Sequence, residues 1–211
     1  MDEFKAIRKA YESRQQLATE LACRLETRTS EALMGLRHID RISFRAKATD
    51  RFMTKAATRD QGGDLKYIDP LREIEDQIAG RVLVFFRDDI AKVTERLTGE
   101  LGSIETSHRE PESDTEFGYE SDHLVAVIPN HLKPAEWVDD LTAPATFEIQ
   151  VRTLFMHAWA EPQHDLGYKP GERAALSRED KRRLAWIAAS AWGADVALNE
   201  LATTSHPSGT G

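Results

Sequence analysis

The most informative pattern in the chain is an alternation over residues 147–152. Phe147, Ile149 and Val151 alternate with Glu148, Gln150 and Arg152, which predicts a strand with one apolar and one polar face. The run passes directly into a helix, where His157, Glu161 and His164 fall at i, i+4 and i+7 on one side. Other strands are predicted over 40–47, with Ile42 and Phe44 inward, and over 81–86, a nearly continuous apolar run suited to burial on both faces. Shorter ones are expected at 103–107 and 123–128.

Helices separate these strands. Phe4, Ile7, Tyr11, Leu17, Leu21 and Leu25 give a broken apolar stripe over 3–26, and a second helix is expected over 28–38. Further helices are expected over 49–58, from the Asp69-Pro70 start to about 79, over 88–97, and briefly at 135–141. A last helix over 177–202 opens on Ser177 with Asp180 three later, a capping-box-like pattern. Residues 109–122 and 129–144 read as connections.

Composition narrows the setting. The chain has 211 residues, enough for one well-cored domain with helical additions. No apolar run approaches a membrane span, and the start of the chain has no apolar signal core. The lone Cys23 excludes an internal disulfide framework and a multi-cysteine zinc site, so a cytoplasmic location is expected. A net charge of −8 argues against a broad nucleic-acid surface, but leaves room for a local basic pocket. Lys5, Arg8, Lys9 and Arg14 line the first helix, either as a solvated face or as a ridge for an acidic partner.

The basic residues concentrate in one place. Lys47, Arg51, Lys55 and Arg59 recur every four residues, with Arg45 just before them. Like charges so spaced repel, and a polyphosphate would offset that cost through charge-assisted hydrogen bonds. Asp76 stands just before one buried strand and Glu148 lies on another. Cations for phosphates plus a carboxylate pair for a metal is the working set of phosphoryl transfer. No Gly-rich P-loop or kinase loop is present, so a nucleotide site must be of another type.

The stretch Glu148-Ile149-Gln150-Val151-Arg152-Thr153, continued by His157-Ala158-Trp159-Ala160, His164-Asp165 and Tyr168-Lys169, resembles the synthetase domain of the RelA/SpoT family of alarmone enzymes. Three shorter matches precede it in the family's order. Arg45, Lys47 and Lys55 fit the family's R-x-K-S-x-x-S-x-x-x-K, with Ala48 and Arg51 in place of the serines. Asp76 and Arg81 fit D-x-x-G-x-R, with Ala79 at the glycine position and Gly80 one later. Gly118, Tyr119, Ser121 and His123 fit the acceptor loop G-Y-R-S-x-H, with Glu120 replacing arginine.

The resemblance implies an α+β fold, a nucleotidyltransferase-like mixed β-sheet flanked by helices. It divides the chain into an N-terminal helical extension (1–39), a synthetase core (40–170), a C-terminal helix (171–202) and a disordered tail (203–211). It implies transfer of the β,γ-pyrophosphate of ATP to a ribose 3′-hydroxyl, with GDP or GTP as acceptor and (p)ppGpp as product. Asp76 and Glu148 would be catalytic and hold Mg2+, and Glu148 would also help deprotonate the acceptor hydroxyl. Arg45, Lys47, Lys55 and Arg81 would bind ATP, with Arg59 as an addition. Tyr119, His123, Gln150, Arg152 and His157 would face the acceptor.

Alternatives stay open. A loop carrying Glu110, Glu112, Asp114, Glu116, Glu120 and Asp122 against the single cation Arg109 should repel a free polyphosphate. The 3′ end of tRNA, modified by toxin members of this family, would suffer less repulsion. A catalytically inactive nucleotide-binding module on the same fold would also explain the altered loop. A homo-oligomer or an antitoxin partner is compatible with either. A metal site at His157, Glu161 and His164 has workable spacing, but Pro162 disturbs that helix. His164-Asp165 alone suggests an HD-type hydrolase, whose separate domain this chain has no room for.

Overall fold

The computed structural model describes residues 2–111, 113, 116–118, 120–167 and 177–205. Helix α1 (Asp2–Ala32) leads into strand β1 (Ile39–Ala46) and helix α2 (Thr49–Ala56). A single turn, α3 (Pro70–Glu73), and a 3-10 turn (Glu75–Gln77) precede β2 (Ile78–Val84). Then come α4 (Arg87–Leu101), β3 (Ser103–Arg109), β4 (Ser121–Val127), β5 (Thr146–Thr153), α5 (Leu154–Gly167) and α6 (Arg178–Ser205). Among the described residues five strands form one mixed sheet in the order β1-β2-β5-β4-β3, parallel only between β2 and β5. The fold is the expected α+β sheet flanked by helices.

The core lies on one face of the sheet. Ile78, Val82 and Val84 of β2, Phe147, Ile149 and Val151 of β5, and Leu124 and Ala126 of β4 pack there against Val93 and Leu97 of α4 and the second half of α1. The expected second helix over 28–38 does not form. Tyr11, Ala18, Leu25 and Ala32 recur every seven residues and are all buried, so one continuous helix keeps a single face inward. It ends in a turn at Gly35, whose φ of 87° favours glycine. Ala18, Leu21, Ala22, Leu25 and Ala32 of α1 are part of that core. The first half of α1 lies against α2, with the Tyr11 ring stacked on Phe52 at 3.9 Å.

Two other helices differ from expectation. The helix begun at Asp69-Pro70 stops after one turn because Ile74 is extended (φ −85°, ψ 104°). Gln77 then turns its buried amide back onto the Leu71 and Ile74 carbonyls at 2.7 and 2.9 Å, satisfying acceptors a longer helix would have used. The segment 135–141 forms no helix. Asp140 accepts from the Thr142 N–H at 2.7 Å, and Arg14 of α1 donates to the Val138 carbonyl at 2.9 Å, which fixes an irregular connection.

Candidate active site

The opposite face of the sheet is polar, and strand register orders it in rows. Ser43, Arg81, Gln150, His123 and Ser107 stand side by side across all five strands. The next row is Arg45, Ala79, Glu148, Val125 and Glu105. Residues in one row share a face, so four motifs far apart in sequence meet on one surface. A cleft of about 280 Å³ opens there, lined by Arg45, Lys47, Asp76, Ala79, Arg81 and Gln150 among others. Ala79 puts its methyl between Arg45 and Glu148. Gly80 faces the other way, where Phe44 covers its backbone.

Asp76 sits at the mouth of β2 in the 3-10 turn. Lys47 Nζ pairs with one of its oxygens at 2.6 Å and Lys55 Nζ with the other at 3.0 Å. The expected run of cations along one helix is thus arranged differently. Lys47 follows β1, only Arg51 and Lys55 belong to α2, and the lysines are drawn together by a carboxylate from another element. Tyr11 fixes the approach by donating to the Lys47 carbonyl at 2.6 Å. Burial works against the charge on Lys55, but Asp76 outweighs it and raises the ammonium pKa. Arg59 lies outside the cleft lining and donates to the Gly63 carbonyl at 2.6 Å.

Glu148 is only 8% exposed. Gln150 Nε2 donates to its Oε1 at 2.7 Å, and His123 Nδ1 stands 3.2 Å from the same atom. Burial pushes the carboxyl up, yet these hydrogen bonds and the charges of His123 and Arg109 bring it down to about 2. It is a carboxylate at any physiological pH.

Beyond Gln150 the polar face continues into a guanidinium cluster. Arg152 is 2% exposed, and its Nη2 lies 2.9 Å from both Glu161 Oε1 and His157 Nδ1. Arg81 Nη2 reaches the same Glu161 oxygen at 2.8 Å. Burial raises Glu161, but the Arg81 charge and the Arg152 hydrogen bond outweigh it and hold the pKa below the usual carboxylate range. Burial and the neighbouring Arg152 and Arg81 depress the His157 pKa, so its imidazole is neutral near pH 7. Sequence reasoning considered Glu161 only as a metal ligand. Its place as the carboxylate that gathers two arginines depends on α5 folding back over β2 and β5. Pro162 stays within α5. The side chain of His164 lies outside the described residues, and so does Tyr119 altogether.

Two acids of the acceptor loop, Glu120 and Asp122, are paired. Glu120 pairs with Arg87 of α4 at 2.8 Å. Asp122 accepts from Thr94 at 2.8 Å and lies 2.6 Å from His108. Two cations of the N-terminal ridge are paired as well, Arg8 with Glu12 and Asp50 and Arg14 with Asp140.

Residues 44–173 match the sequence model of the region found in RelA / SpoT proteins, well over half of the chain. The chain belongs to that family. GTP pyrophosphokinase YjbM of Bacillus subtilis (strain 168) is 38% identical over 104 residues, a match covering 47% of this chain and 46% of that protein. The aligned segment thus spans less than half the length of that relative. The small alarmone synthetase 1 structure from Bacillus subtilis superposes with a TM-score of 0.66 at 22% identity, covering 99% of this chain and 100% of that one. The same synthetase bound to its product pppGpp gives a TM-score of 0.61 at 21% identity, covering 98% and 100%. At these identities the two structures establish the shared fold.

Proposed function

We propose that this protein is an ATP-dependent pyrophosphokinase of the small alarmone synthetase type. The 3′-hydroxyl oxygen of GDP or GTP attacks the β-phosphorus of ATP, and the bond between that phosphorus and the α,β-bridging oxygen breaks. AMP leaves, the hydroxyl proton passes to solvent, and ppGpp or pppGpp forms. The observation that carries this reading is the cleft itself, where Arg45, Lys47 and Arg81 stand beside Asp76 and next to the row of Glu148. Family membership and the pyrophosphokinase relative support it.

The donor set fits a hard divalent cation such as Mg2+, with Asp76 and Glu148 as its carboxylates. Among the described residues no group of three His, Cys, Asp or Glu is placed to hold a metal ion, so water and phosphate oxygens would complete the shell. When bound, the ion supplies charge neutralisation at the transferred phosphates. Arg45, Lys47, Lys55 and Arg81 orient the ATP phosphates, with Arg59 as an outlying addition. Displacing Asp76 from Lys47 and Lys55 frees both ammoniums for phosphate. A pKa near 2 makes Glu148 a poor proton acceptor at pH 7 and suits it to holding a cation. His123 and Gln150 keep it ionised and border the acceptor side, together with Arg152, His157 and, from the resemblance, Tyr119.

A tRNA acceptor is favoured by the acids of the loop, Glu110, Glu112, Asp114, Glu116, Glu120 and Asp122, and by the ridge of Lys5, Arg8, Lys9 and Arg14. Against it, Arg87 pairs with Glu120, and internal carboxylates occupy Arg8 and Arg14. The test is transfer of labelled phosphate from ATP, run in parallel with GDP, GTP, GMP, ATP and deacylated tRNA. Transfer to GDP or GTP is expected. Transfer to tRNA alone would replace the acceptor, and no transfer to any would leave a binding module. Among the described residues no helix is long and apolar enough to cross a membrane.

A further inference from the structure

Helix α6 lies beyond the segment that matches the family, yet one of its faces touches three parts of the candidate site. Trp192, Asp195 and Asn199 fall at i, i+3 and i+7 and so share that face. Asn199 Oδ1 accepts from the backbone N–H of Asp88 at 3.0 Å. It supplies an N-terminal cap that α4 lacks, because Phe86 at the cap position has no side chain able to accept. Asp195 accepts from the Thr153 hydroxyl, and Thr153 Oγ1 in turn accepts from the Met156 N–H at 3.1 Å. That pair ties α6 to the point where β5, carrying Gln150 and Arg152, becomes α5.

The third contact is with the acceptor loop. The Phe117 ring meets Trp192 edge-on at 5.6 Å. The Arg87 guanidinium stands 5.9 Å from the centre of the same indole and pairs with Glu120 at 2.8 Å. The loop is thus pinned at positions 117 and 120, through one tryptophan and the arginine lying over it. Glu120, the departure from the family's arginine, is the loop's half of this latch.

We infer that α6 positions the acceptor loop, with Trp192 and the Arg87–Glu120 pair as positioning residues that set acceptor affinity without touching the ATP side. The acceptor part of this inference rests on the proposed function; the anchoring itself does not. The consequence for Glu120 is specific. Restoring the family's arginine there would set it against Arg87 and loosen the loop, so Glu120→Arg should weaken GDP binding, while Arg87→Glu combined with Glu120→Arg should recover it.

The experiment compares the parent with Trp192→Ala, Glu120→Arg and the Arg87→Glu/Glu120→Arg double variant. Amide exchange at residues 116–118 and 120 is read in the free protein, and KM for GDP and for ATP in the transfer assay. Trp192→Ala should speed loop exchange and raise the GDP KM by roughly tenfold each, as expected for losing an aromatic pair and a cation–π contact together. The ATP KM should stay within about twofold, since the distant ATP side keeps its contacts. The charge-swapped double variant should lie closer to the parent than Glu120→Arg does. Loop exchange unchanged in both Trp192→Ala and Glu120→Arg would overturn the anchor, and an ATP KM rising as far as the GDP KM would overturn the acceptor role. If Trp192→Ala does not fold, Glu120→Arg carries the same readouts. A parent that transfers to no acceptor would refute the function and the acceptor role together, while the exchange data would still decide the anchor.

Discussion

Replacing Glu148 by Gln separates the electrostatic role of this residue from its role in the fold. The folded protein holds its carboxyl at about 2, against an ordinary 4.5. At ~1.4 kcal/mol per pH unit, that preference for the carboxylate is worth roughly 3 kcal/mol to the folded state at pH 7. The sign follows from the downward direction of the shift. The stabilisation is complete above the unfolded value near 4.5 and is lost as the pH falls through the folded value near 2. Glu148→Gln keeps the shape and removes the charge that His123 and Gln150 surround. Urea denaturation should show it less stable by about 2–3 kcal/mol at pH 7, with the gap falling to roughly half at pH 3. A domain with an ordinary stability of about 5–15 kcal/mol stays folded after such a loss. Pyrophosphate transfer by the folded variant should nevertheless fall by more than about a hundredfold, as for loss of part of the several kcal/mol that a bound cation contributes to the transition state. A variant as stable as the parent at pH 7 would refute the electrostatic argument. Turnover within a few-fold of the parent would refute the catalytic one.

Three further perturbations probe separate parts of the molecule. Lys55→Gln leaves Asp76 with Lys47 alone and should raise the ATP KM by roughly tenfold, as for loss of one charge-assisted contact, with little change for GDP; equal effects on both nucleotides would contradict the division of the site. Gly80→Ala places a Cβ 2.3 Å from the Phe44 ring, which is packed in the core, and should destabilise by about 1–3 kcal/mol in thermal or urea unfolding; unchanged stability would mean the ring moves aside freely. Asp195 behaves oppositely to Glu148, since burial raises its carboxyl to about 6 despite the Thr153 hydrogen bond and the Arg87 charge. The folded state then holds a proton the unfolded state has lost, so its stability falls as the pH rises from about 4 through 6. Asp195→Asn should remove that dependence and gain up to about 3 kcal/mol over the parent at pH 7, read by urea denaturation at pH 4.5 and 7; a less stable variant at pH 7 would count against it.

Local pattern was enough for much of this protein. The period-two alternation over 147–152 marks β5 and the face that carries Glu148, because strand geometry alone sends alternate side chains to opposite sides. The four motifs, spaced along the chain in order, marked residues that the sheet register brings onto one surface. Local pattern failed where a partner from elsewhere decides the conformation. The turn at Glu75–Gln77 depends on a buried amide satisfying two carbonyls, and the length of α1 depends on a core to which strands far along the chain contribute. The same holds for charge. In sequence Lys47, Arg51, Lys55 and Arg59 look like one repelling row, and the acids of residues 110–122 look like another. The folded chain sets Asp76 between two of the lysines, Glu161 between two arginines, and Arg87 against Glu120. Residue types and spacing fix which charges exist and the faces they take on an isolated strand or helix; only tertiary packing decides which opposite charges come within 3 Å, and at that distance the interaction is strong enough to reverse the reading of the row.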